Sequence, residues 1–293
     1  SFTEMADGGV NNVELIAALI NRGEDIVDGI FQMQEVVRGS VCLLLMAEDG
    51  IYAARDRYGR FPLVIGRRIG RDGNPDGYAA ATESCSFPNL GYEQARSLGP
   101  GEIVRLDANG IWNERPMGPE KQVCAFLWIY TGYPTSVYEG ISVENARERC
   151  GRAMARADHV EADLVSGVPD SGVGHAIGYA MESGLPFRRP LVKYTPGYGR
   201  SYTPPSQDIR DLVATMKLSA VRDVIEGARM VVCEDSIVRG TQLKNYTIRK
   251  LWDNGAKEIH VRPACPPLMF PCIYASSTRS AAELATHRAI CDL

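Results

Sequence analysis

The sequence predicts an α+β N-terminal portion followed by an α/β domain with a parallel sheet. From residue 13 to about 114, one helical pattern is combined with short β-like runs that end at Gly, Asp or Asn, as expected for an antiparallel sheet with a helix. Residues 115–139 are irregular and rich in Pro and Gly, which indicates a crossing between domains. Beyond them strands alternate with helices, the pattern of a parallel sheet with helices on both faces.

Local signals predict the N-terminal elements. The stretch NNVELIAALINRG has an Asn cap, apolar residues at helical spacing and a closing Gly, and therefore predicts a helix. Strands are predicted in SVCLLLM, GIYAARD, FPLVIGRR, GYAAATES and GEIVRLDANGIW. The DANG within the last run predicts a hairpin turn.

The C-terminal elements alternate in type along the chain. Helices are predicted in ISVENARERCGRAMARAD, SGVGHAIGYAMESG, QDIRDLVATMKLSAVRDVIEG and QLKNYTIRKLWDNG. Strands are predicted in ADLVSGVP, RRPLVKYT, ARMVVCED and KEIHVRPA. Because ligands of open parallel sheets bind outside the carboxyl ends of the strands, the loops that follow these strands are the places to look for a site.

Composition narrows the class of protein. The 293 residues are 45% hydrophobic and 23% charged, with a formal net charge of −4, which is ordinary for a soluble globular protein. No basic stripe favours nucleic acid as a partner, and no apolar run is long enough to span a membrane. The eight cysteines are scattered without a CxxC pair, which indicates reduced thiols and a cytoplasmic protein.

The stretch VVCEDSIVRGTQ, residues 231–242, carries the strongest functional signal. A buried strand ends at Glu234 and Asp235, and a loop of small and hydroxyl residues then leads into a helix. Gly240 allows backbone N–H groups to approach an anion, and Ser236 and Thr241 add hydroxyl donors. The two acids suit vicinal hydroxyls or Mg²⁺, so the stretch predicts a site for a ribose 5-phosphate. A polar strand end that merely caps a helix is the alternative.

This stretch resembles the phosphoribosyl-diphosphate (PRPP) signature of type I phosphoribosyltransferases. Other stretches narrow the resemblance to the amidophosphoribosyltransferase family: ARDRYGRFPLVIGRR, ATESCSF, LGPGEIVRLDANG, CAFLWIYTGYPTSVYEGISV, GVPDSGVGHAIGYA and LVKYTPGYGRSY. The resemblance implies that residues 1–118 are part of a glutamine amidotransferase domain with an Ntn-hydrolase-like fold. It implies that residues 119–293 are a phosphoribosyltransferase domain.

The resemblance also implies an activity. The family transfers ammonia, released from glutamine, to C1 of PRPP and forms 5-phosphoribosylamine, glutamate and diphosphate in the first step of purine biosynthesis. PRPP, glutamine or ammonia, and purine nucleotide feedback inhibitors are the expected partners, and a homo-oligomer is the expected assembly.

Site residues carry over from the matching motifs. The residues expected to bind PRPP are Glu234, Asp235, Ser236, Val238, Arg239, Gly240, Thr241, Lys193, Arg200 and Lys217. Of the last three, Lys193 and Lys217 flank the loop TPGYGRSYTPPSQ and Arg200 lies within it; this loop is expected to close over the substrate. Mg²⁺ is expected near Ser171, Glu234 and Asp235. Glu234 stands where the family usually has Asp, and altered geometry with retained binding is expected.

Two further implications concern cysteine. Cys124 and Cys272 match positions that ligate a [4Fe–4S] cluster in the iron–sulfur members of the family. Such a cluster needs four thiolates, and the other two come from a CxxC region that this sequence does not contain. The favoured interpretation is therefore that both cysteines are buried structural thiols. The family hydrolyses glutamine with an N-terminal Cys, whereas this sequence begins with Ser1. A fragment, or a form that uses free ammonia, is therefore expected, and no glutaminase nucleophile is assigned.

Three rival functions stay open at this point. A salvage phosphoribosyltransferase would share the PRPP motif but would not explain the first third of the sequence. A non-enzymatic PRPP-sensing module would bind the substrate without turnover. A nicotinamide-dependent dehydrogenase would use the glycines of GVPDSGVGHAIG, but their spacing departs from GxGxxG, and Lys193 stands where such a site needs an acid.

Overall fold

The chain divides into two compact units in a computed structural model that describes residues 11–194, 218–240, 243–272, 274, 278 and 280–292. The first unit consists of Ser1–Leu127, Gly132–Ser142 and Ile273–Ala275, and the second of Trp128–Thr131, Val143–Cys272 and Ser276–Leu293. The main division therefore lies between Ser142 and Val143, and the boundary predicted at residue 118 falls inside the first unit.

The first unit begins with two helices and continues with nine strands among the described residues. In chain order these are α1 (Asn12–Ile20), α2 (Ile26–Val36), β1 (Leu43–Ala47), β2 (Gly50–Ala54), β3 (Val64–Ile69), β4 (Pro75–Ala81), β5 (Glu93–Ser97), β6 (Ile103–Asp107), β7 (Gly110–Arg115), β8 (Val137–Tyr138) and β9 (Ile141–Ser142). The predicted helix and the five predicted strand runs are confirmed. The side chain of Asn11 caps α1 by accepting from the N–H of Val13 at 3.0 Å.

Four elements of this unit were not predicted: α2, β5 and the two-residue strands β8 and β9. The helix α2 is capped by Asp25, whose carboxylate accepts from the N–H of Asp28 at 2.8 Å, and it buries Ile30 and Met33 one turn apart. The strand β5 is rich in polar residues and pairs with β3 along one edge. Its sequence lacks the alternation of apolar side chains by which strands are recognised.

The strands of the first unit form antiparallel sheets with alternating faces. Pairing gives the orders β1–β2–β6–β7 and β4–β3–β5. Ala54 and Ile103 face α1 and α2 in one core cluster, whereas Ala53 and Val104, their neighbours in sequence, face the second sheet in another. The unit is therefore a helical layer on two packed sheets.

The second unit is built on the predicted parallel sheet. Its elements among the described residues are α3 (Val143–Arg156), β10 (Leu164–Gly167), α4 (Val173–Ser183), β11 (Leu191–Lys193), β12 (Leu218–Ala220), α5 (Arg222–Ile225), β13 (Arg229–Glu234), α6 (Arg249–Asp253), β14 (Glu258–Pro263) and α7 (Ala285–Asp292). A π-helical turn at Leu243–Ile248 leads into α6. The order β10–β13–β14, with both pairings parallel, places β13 in the middle.

Both faces of this sheet are covered. Met230 and Val232 of β13 pack with Leu251 of α6 in one core cluster. Val231 and Cys233 point the other way and pack with residues of α3 and α4. A central strand buried on both faces explains why the sequence MVVC is continuously apolar.

One predicted helix and one predicted strand need correction. The predicted helix QDIRDLVATMKLSAVRDVIEG is wrong at its centre, because Leu218–Ala220 form β12 and only the four residues of α5 are helical after it. The predicted strand within RRPLVKYT exists as β11, but it pairs antiparallel with β12 and not with the parallel sheet. Sequence patterns alone do not show this pairing, since both strands are only three residues long.

A partly buried polar cluster ties the sheet to the helix that covers it. The carboxylate of Asp158 accepts from the Tyr179 hydroxyl of α4 at 2.8 Å and from two nitrogens of Arg262 on β14. These donors, the Arg262 side chain foremost, lower the pKa of Asp158 to about 2.

We expect Asp158→Asn to lower the free energy of unfolding at pH 7 by about 1–2 kcal/mol, because the charge-assisted pair with Arg262 is lost. The folded-state pKa lies below the ordinary value of 3.8, so this stabilisation is present above pH 3.8 and is lost as the pH falls toward 2. Urea unfolding at pH 7 measures the difference. Asp223→Asn, at an exposed position on α5, is the matched control, and equal midpoints for the two variants would contradict the assignment.

Among the helices of the described ranges, none combines the length and the apolar character that crossing a membrane requires.

Candidate functional site

Two loops meet at the carboxyl edge of the parallel sheet. One follows β10 and contains residues 168–172, with a cis peptide bond between Pro169 and Asp170. The other follows β13 and contains residues 235–240. Because β10 and β13 are parallel neighbours, with Gly167 opposite Cys233, the two loops leave the sheet side by side.

The close approach of the first loop to β13 requires glycine at position 172. A Cβ atom there would lie 2.1 Å from the carbonyl oxygen of Cys233 and 2.8 Å from the backbone nitrogen of Val168. No side chain fits at such distances. The glycine therefore allows the loop to bring Ser171 to the end of β13.

The contact between the loops joins two of the residues predicted to lie near Mg²⁺. The hydroxyl of Ser171 donates to Oε1 of Glu234 at 2.6 Å, and the backbone N–H of Asp235 donates to the same oxygen at 2.9 Å. Burial, and secondly the charge of Asp235, raise the pKa of Glu234 to about 7. The surroundings of this carboxyl group therefore disfavour its charged form.

Asp235 is the more deeply buried of the two acids, with 6% of its surface exposed. Its carboxylate accepts from the hydroxyl of Ser236, and its carbonyl oxygen accepts from the N–H of Cys265 at 2.8 Å. The acid is thus held by the next residue of its own loop and by the chain that continues from β14. Such a carboxylate is an acceptor of fixed position for a hydroxyl group.

Hydrogen bonds engage three successive carbonyl groups of the loop that follows the acids. The carbonyl oxygens of Val238, Arg239 and Gly240 accept from Ala285 N–H at 2.8 Å, from the Arg288 guanidinium at 2.5 Å and from Lys244 N–H at 2.9 Å, respectively. Gly240 has a φ of 75°, which favours glycine. Within the described part of the chain, the N–H groups of residues 236, 237, 238 and 240 have no partner. A run of backbone donors with its carbonyls engaged elsewhere is a site for an anion.

Lys193 lies at the end of β11 and contacts the first loop. Its Nζ atom is 3.0 Å from Oδ2 of Asp170, with 48% and 71% of the two side chains exposed. An exposed pair of this kind contributes little to stability and leaves the ammonium group accessible to solvent.

The remaining predicted residues divide into two groups. Arg200, Lys217 and Thr241 lie outside the described residues. Cys124 belongs to the first unit and Cys272 to the second, and their backbone N–H groups donate to Arg60 and Thr278 respectively. In the described ranges no group of three or more His, Cys, Asp or Glu side chains could hold a metal ion.

The sequence did not reveal several residues around the site. Asp170 could have been found, because it stands in the loop directly after a predicted strand. Glu283, Ala285 and Arg288 contact the second loop from a segment about 45 positions further along the chain. No short sequence pattern predicts those long-range contacts.

Comparison with known proteins gives a consistent result. No family model matches the chain. The amidophosphoribosyltransferase of Mycobacterium bovis is 39% identical over 274 residues, covering 92% of this chain and 50% of the relative. The amidophosphoribosyltransferases of Archaeoglobus fulgidus and Bacillus subtilis are each 37% identical and cover 97% and 94% of this chain, with 60% and 56% of the relatives covered.

Solved structures agree with the sequence relatives. The glutamine PRPP amidotransferase of B. subtilis, complexed with ADP and GMP, superimposes with a TM-score of 0.82 at 36% identity over 96% of this chain and 62% of that chain. A structure described as the allosteric regulatory enzyme of purine biosynthesis gives a TM-score of 0.80, also at 36% identity, over 94% of this chain and 60% of that one.

The chain spans about half the length of the curated relatives it matches first. The matched span covers between 92% and 97% of this chain in these three relatives. The resemblance predicted from the motifs is therefore confirmed: over more than nine-tenths of its length this chain is a homologue of the amidophosphoribosyltransferases.

Proposed function

We propose that the protein transfers ammonia to C1 of PRPP and releases diphosphate, giving 5-phosphoribosylamine in the first step of purine biosynthesis. The observation that carries this proposal is the pairing of two acids with an anion-binding loop at one edge of the sheet. The name shared by the relatives supports the assignment of the reaction. The arrangement of the acids and the loop supports PRPP as the substrate.

The acids and the loop divide the substrate between them. Asp235 and Glu234 would accept hydrogen bonds from the two ribose hydroxyls, and the N–H groups of residues 236, 237, 238 and 240 would hold the 5-phosphate. The separation of roles avoids placing carboxylates against a phosphate, which would cost free energy by like-charge repulsion. The longer side chain of Glu234 can reach a hydroxyl from a slightly different angle than Asp would.

Mg²⁺ is the cofactor that these residues suit. Ser171 and Glu234 offer hard oxygen donors 2.6 Å apart, and Mg²⁺ is usually held by one or two carboxylates together with water and substrate phosphates. When bound, the ion would neutralise charge on the departing diphosphate. An iron–sulfur cluster stays a prediction. Such a cluster needs four thiolates, and only Cys124 and Cys272 are assigned to it.

The reaction needs charge stabilisation more than a base. As the bond from C1 to diphosphate lengthens, positive charge develops on the sugar and negative charge on the leaving group. Lys193 and the backbone of residues 168–172 lie on the leaving-group side of this arrangement, and Arg200 and Lys217 are proposed to join them. Ammonia then attacks C1 from the opposite face with inversion.

We propose that residues 1–118, the larger part of the first unit, are part of a glutaminase domain of the Ntn-hydrolase kind, and that residues 119–293 contain the phosphoribosyltransferase domain. The helical layer on two packed antiparallel sheets in the first unit supports this assignment. We further propose glutamine as the natural ammonia donor, purine nucleotides as regulators, a homo-oligomeric assembly and a cytoplasmic location. The complex of the B. subtilis relative with ADP and GMP supports nucleotide binding.

Ammonia-dependent release of diphosphate from PRPP tests the proposal. With Mg²⁺, PRPP and ammonium at pH 8, we expect diphosphate to form at a rate at least about tenfold above a protein-free reaction. Free purine or pyrimidine bases in place of ammonia should give no release. Release with a base alone would favour a salvage transferase, and PRPP binding without release would favour a sensing module. Tight binding of NADPH with no affinity for PRPP would favour a dehydrogenase.

A further inference from the structure

The segment around α7 holds the outer side of the loop at residues 236–240. The first residue of α7, Ala285, donates its N–H to the carbonyl oxygen of Val238 at 2.8 Å. One turn later the guanidinium of Arg288 donates to the carbonyl oxygen of Arg239 at 2.5 Å. Two successive carbonyl groups of the loop are therefore fixed by one short helix.

A charged contact reinforces the same attachment. The guanidinium of Arg239 pairs with the carboxylate of Glu283, which precedes α7. Half of the Arg239 side chain is exposed, and this pair alone contributes little to stability. The pair nevertheless holds the Arg239 side chain against the segment that precedes α7.

The direction of each peptide group matters because N–H and C=O point in opposite directions. If the peptide between residues 239 and 240 rotated, a carbonyl oxygen would replace an N–H group on the anion side, and a donor would become a repulsive acceptor. The hydrogen bond from Arg288 opposes that rotation, and the hydrogen bond from Ala285 opposes rotation of the preceding peptide, between residues 238 and 239. Pre-fixed donors also avoid the free-energy cost of ordering the loop when the ligand binds.

We propose that Arg288 and Glu283 are positioning residues for the loop that binds the 5-phosphate of the substrate. This inference rests on the proposed function, because it assumes a phosphate at residues 236–240. Neither residue touches the substrate. They act through the carbonyl and side chain of Arg239, so their loss weakens binding of the phosphate ester without removing any of its donors.

Binding of two ligands that occupy different parts of the site separates this role from general damage. Ribose 5-phosphate needs the loop at residues 236–240, whereas inorganic diphosphate with Mg²⁺ is expected to bind at residues 168–172.

Calorimetry on the purified protein measures both affinities. Arg288→Met and Glu283→Gln should each weaken the binding of ribose 5-phosphate by about tenfold. Diphosphate affinity should stay within about twofold, and Arg288→Lys, which keeps a donor, should recover most of the loss. In the ammonia-dependent reaction KM for PRPP should rise more than kcat falls.

Arg249→Met is the matched control, because Arg249 forms a similar exposed pair with Asp253 on α6 and touches neither loop. Unchanged ribose 5-phosphate affinity in both Arg288→Met and Glu283→Gln would overturn the inference, as would an equal loss of both ligands. If Arg288→Met does not fold, Arg288→Lys and Glu283→Gln decide the question. A wild-type protein that binds neither ligand would instead refute the proposed function.

Discussion

Replacing Asp235 with asparagine should lower kcat/KM for PRPP by about a hundredfold, or about 2.7 kcal/mol. Asp235 is buried at the end of the central strand, where its carboxylate is held by Ser236 and its backbone by Cys265. Asparagine keeps the shape but presents one acceptor oxygen and an NH₂ group in place of two charged acceptors. A ribose hydroxyl would then meet a weaker or misdirected partner.

Asp253→Asn provides the comparison for this variant, because Asp253 is an exposed carboxylate on α6 of the same unit. Its activity should equal that of the wild type. The measurement is ammonia-dependent formation of phosphoribosylamine. If the rate for Asp235→Asn is within about twofold of the wild-type rate, the Asp235 carboxylate does not bind the ribose. Thermal unfolding of both variants distinguishes a loss of binding from a loss of folded protein.

The sequence predicted those parts of the site whose residues lie close together in the chain. A buried strand, two acids, a glycine loop and a following helical turn occur within the twenty residues 229–248, so their placement at a sheet edge follows from the strand alone. The contact of Ser171 with Glu234 required only that β10 and β13 be parallel neighbours. Alternating strands and helices make such neighbours common.

The contacts that sequence reasoning missed are formed by distant segments or by short ones. Arg288 reaches the loop from 49 positions along the chain, and nothing in its surroundings distinguishes it from a surface arginine. The strands at Leu191–Lys193 and Leu218–Ala220 stabilise each other across an intervening stretch, and the apolar spacing around residue 218 suited a helix equally well. Tertiary pairing overrode local propensity there.

The second large effect concerns Glu234 and the stability of the ligand-free protein. We expect Glu234→Gln to raise the free energy of unfolding at pH 8.5 by about 3 kcal/mol and by less than about 1 kcal/mol at pH 5. The folded-state pKa of about 7 lies above the ordinary 4.5, so the folded protein binds this proton more tightly than the unfolded chain does. Stability therefore falls as the pH rises from about 4.5 to about 7, and the whole penalty is present above pH 7.

Glutamine removes that penalty because it resembles the protonated acid and still offers an oxygen to the Ser171 hydroxyl and the Asp235 N–H. Urea unfolding at the two pH values measures the difference, with Glu226→Gln, an exposed glutamate beside Arg222, as the variant that should show no pH-dependent change. A gain of the same size at both pH values, or none at pH 8.5, would contradict the assignment. The same variant should bind PRPP and Mg²⁺ more weakly. The proposed ligands would interact with the Glu234 carboxylate, and the charge of that carboxylate is what destabilises the folded protein. A gain in stability joined to a loss of binding would show that the charge on Glu234 is retained for function.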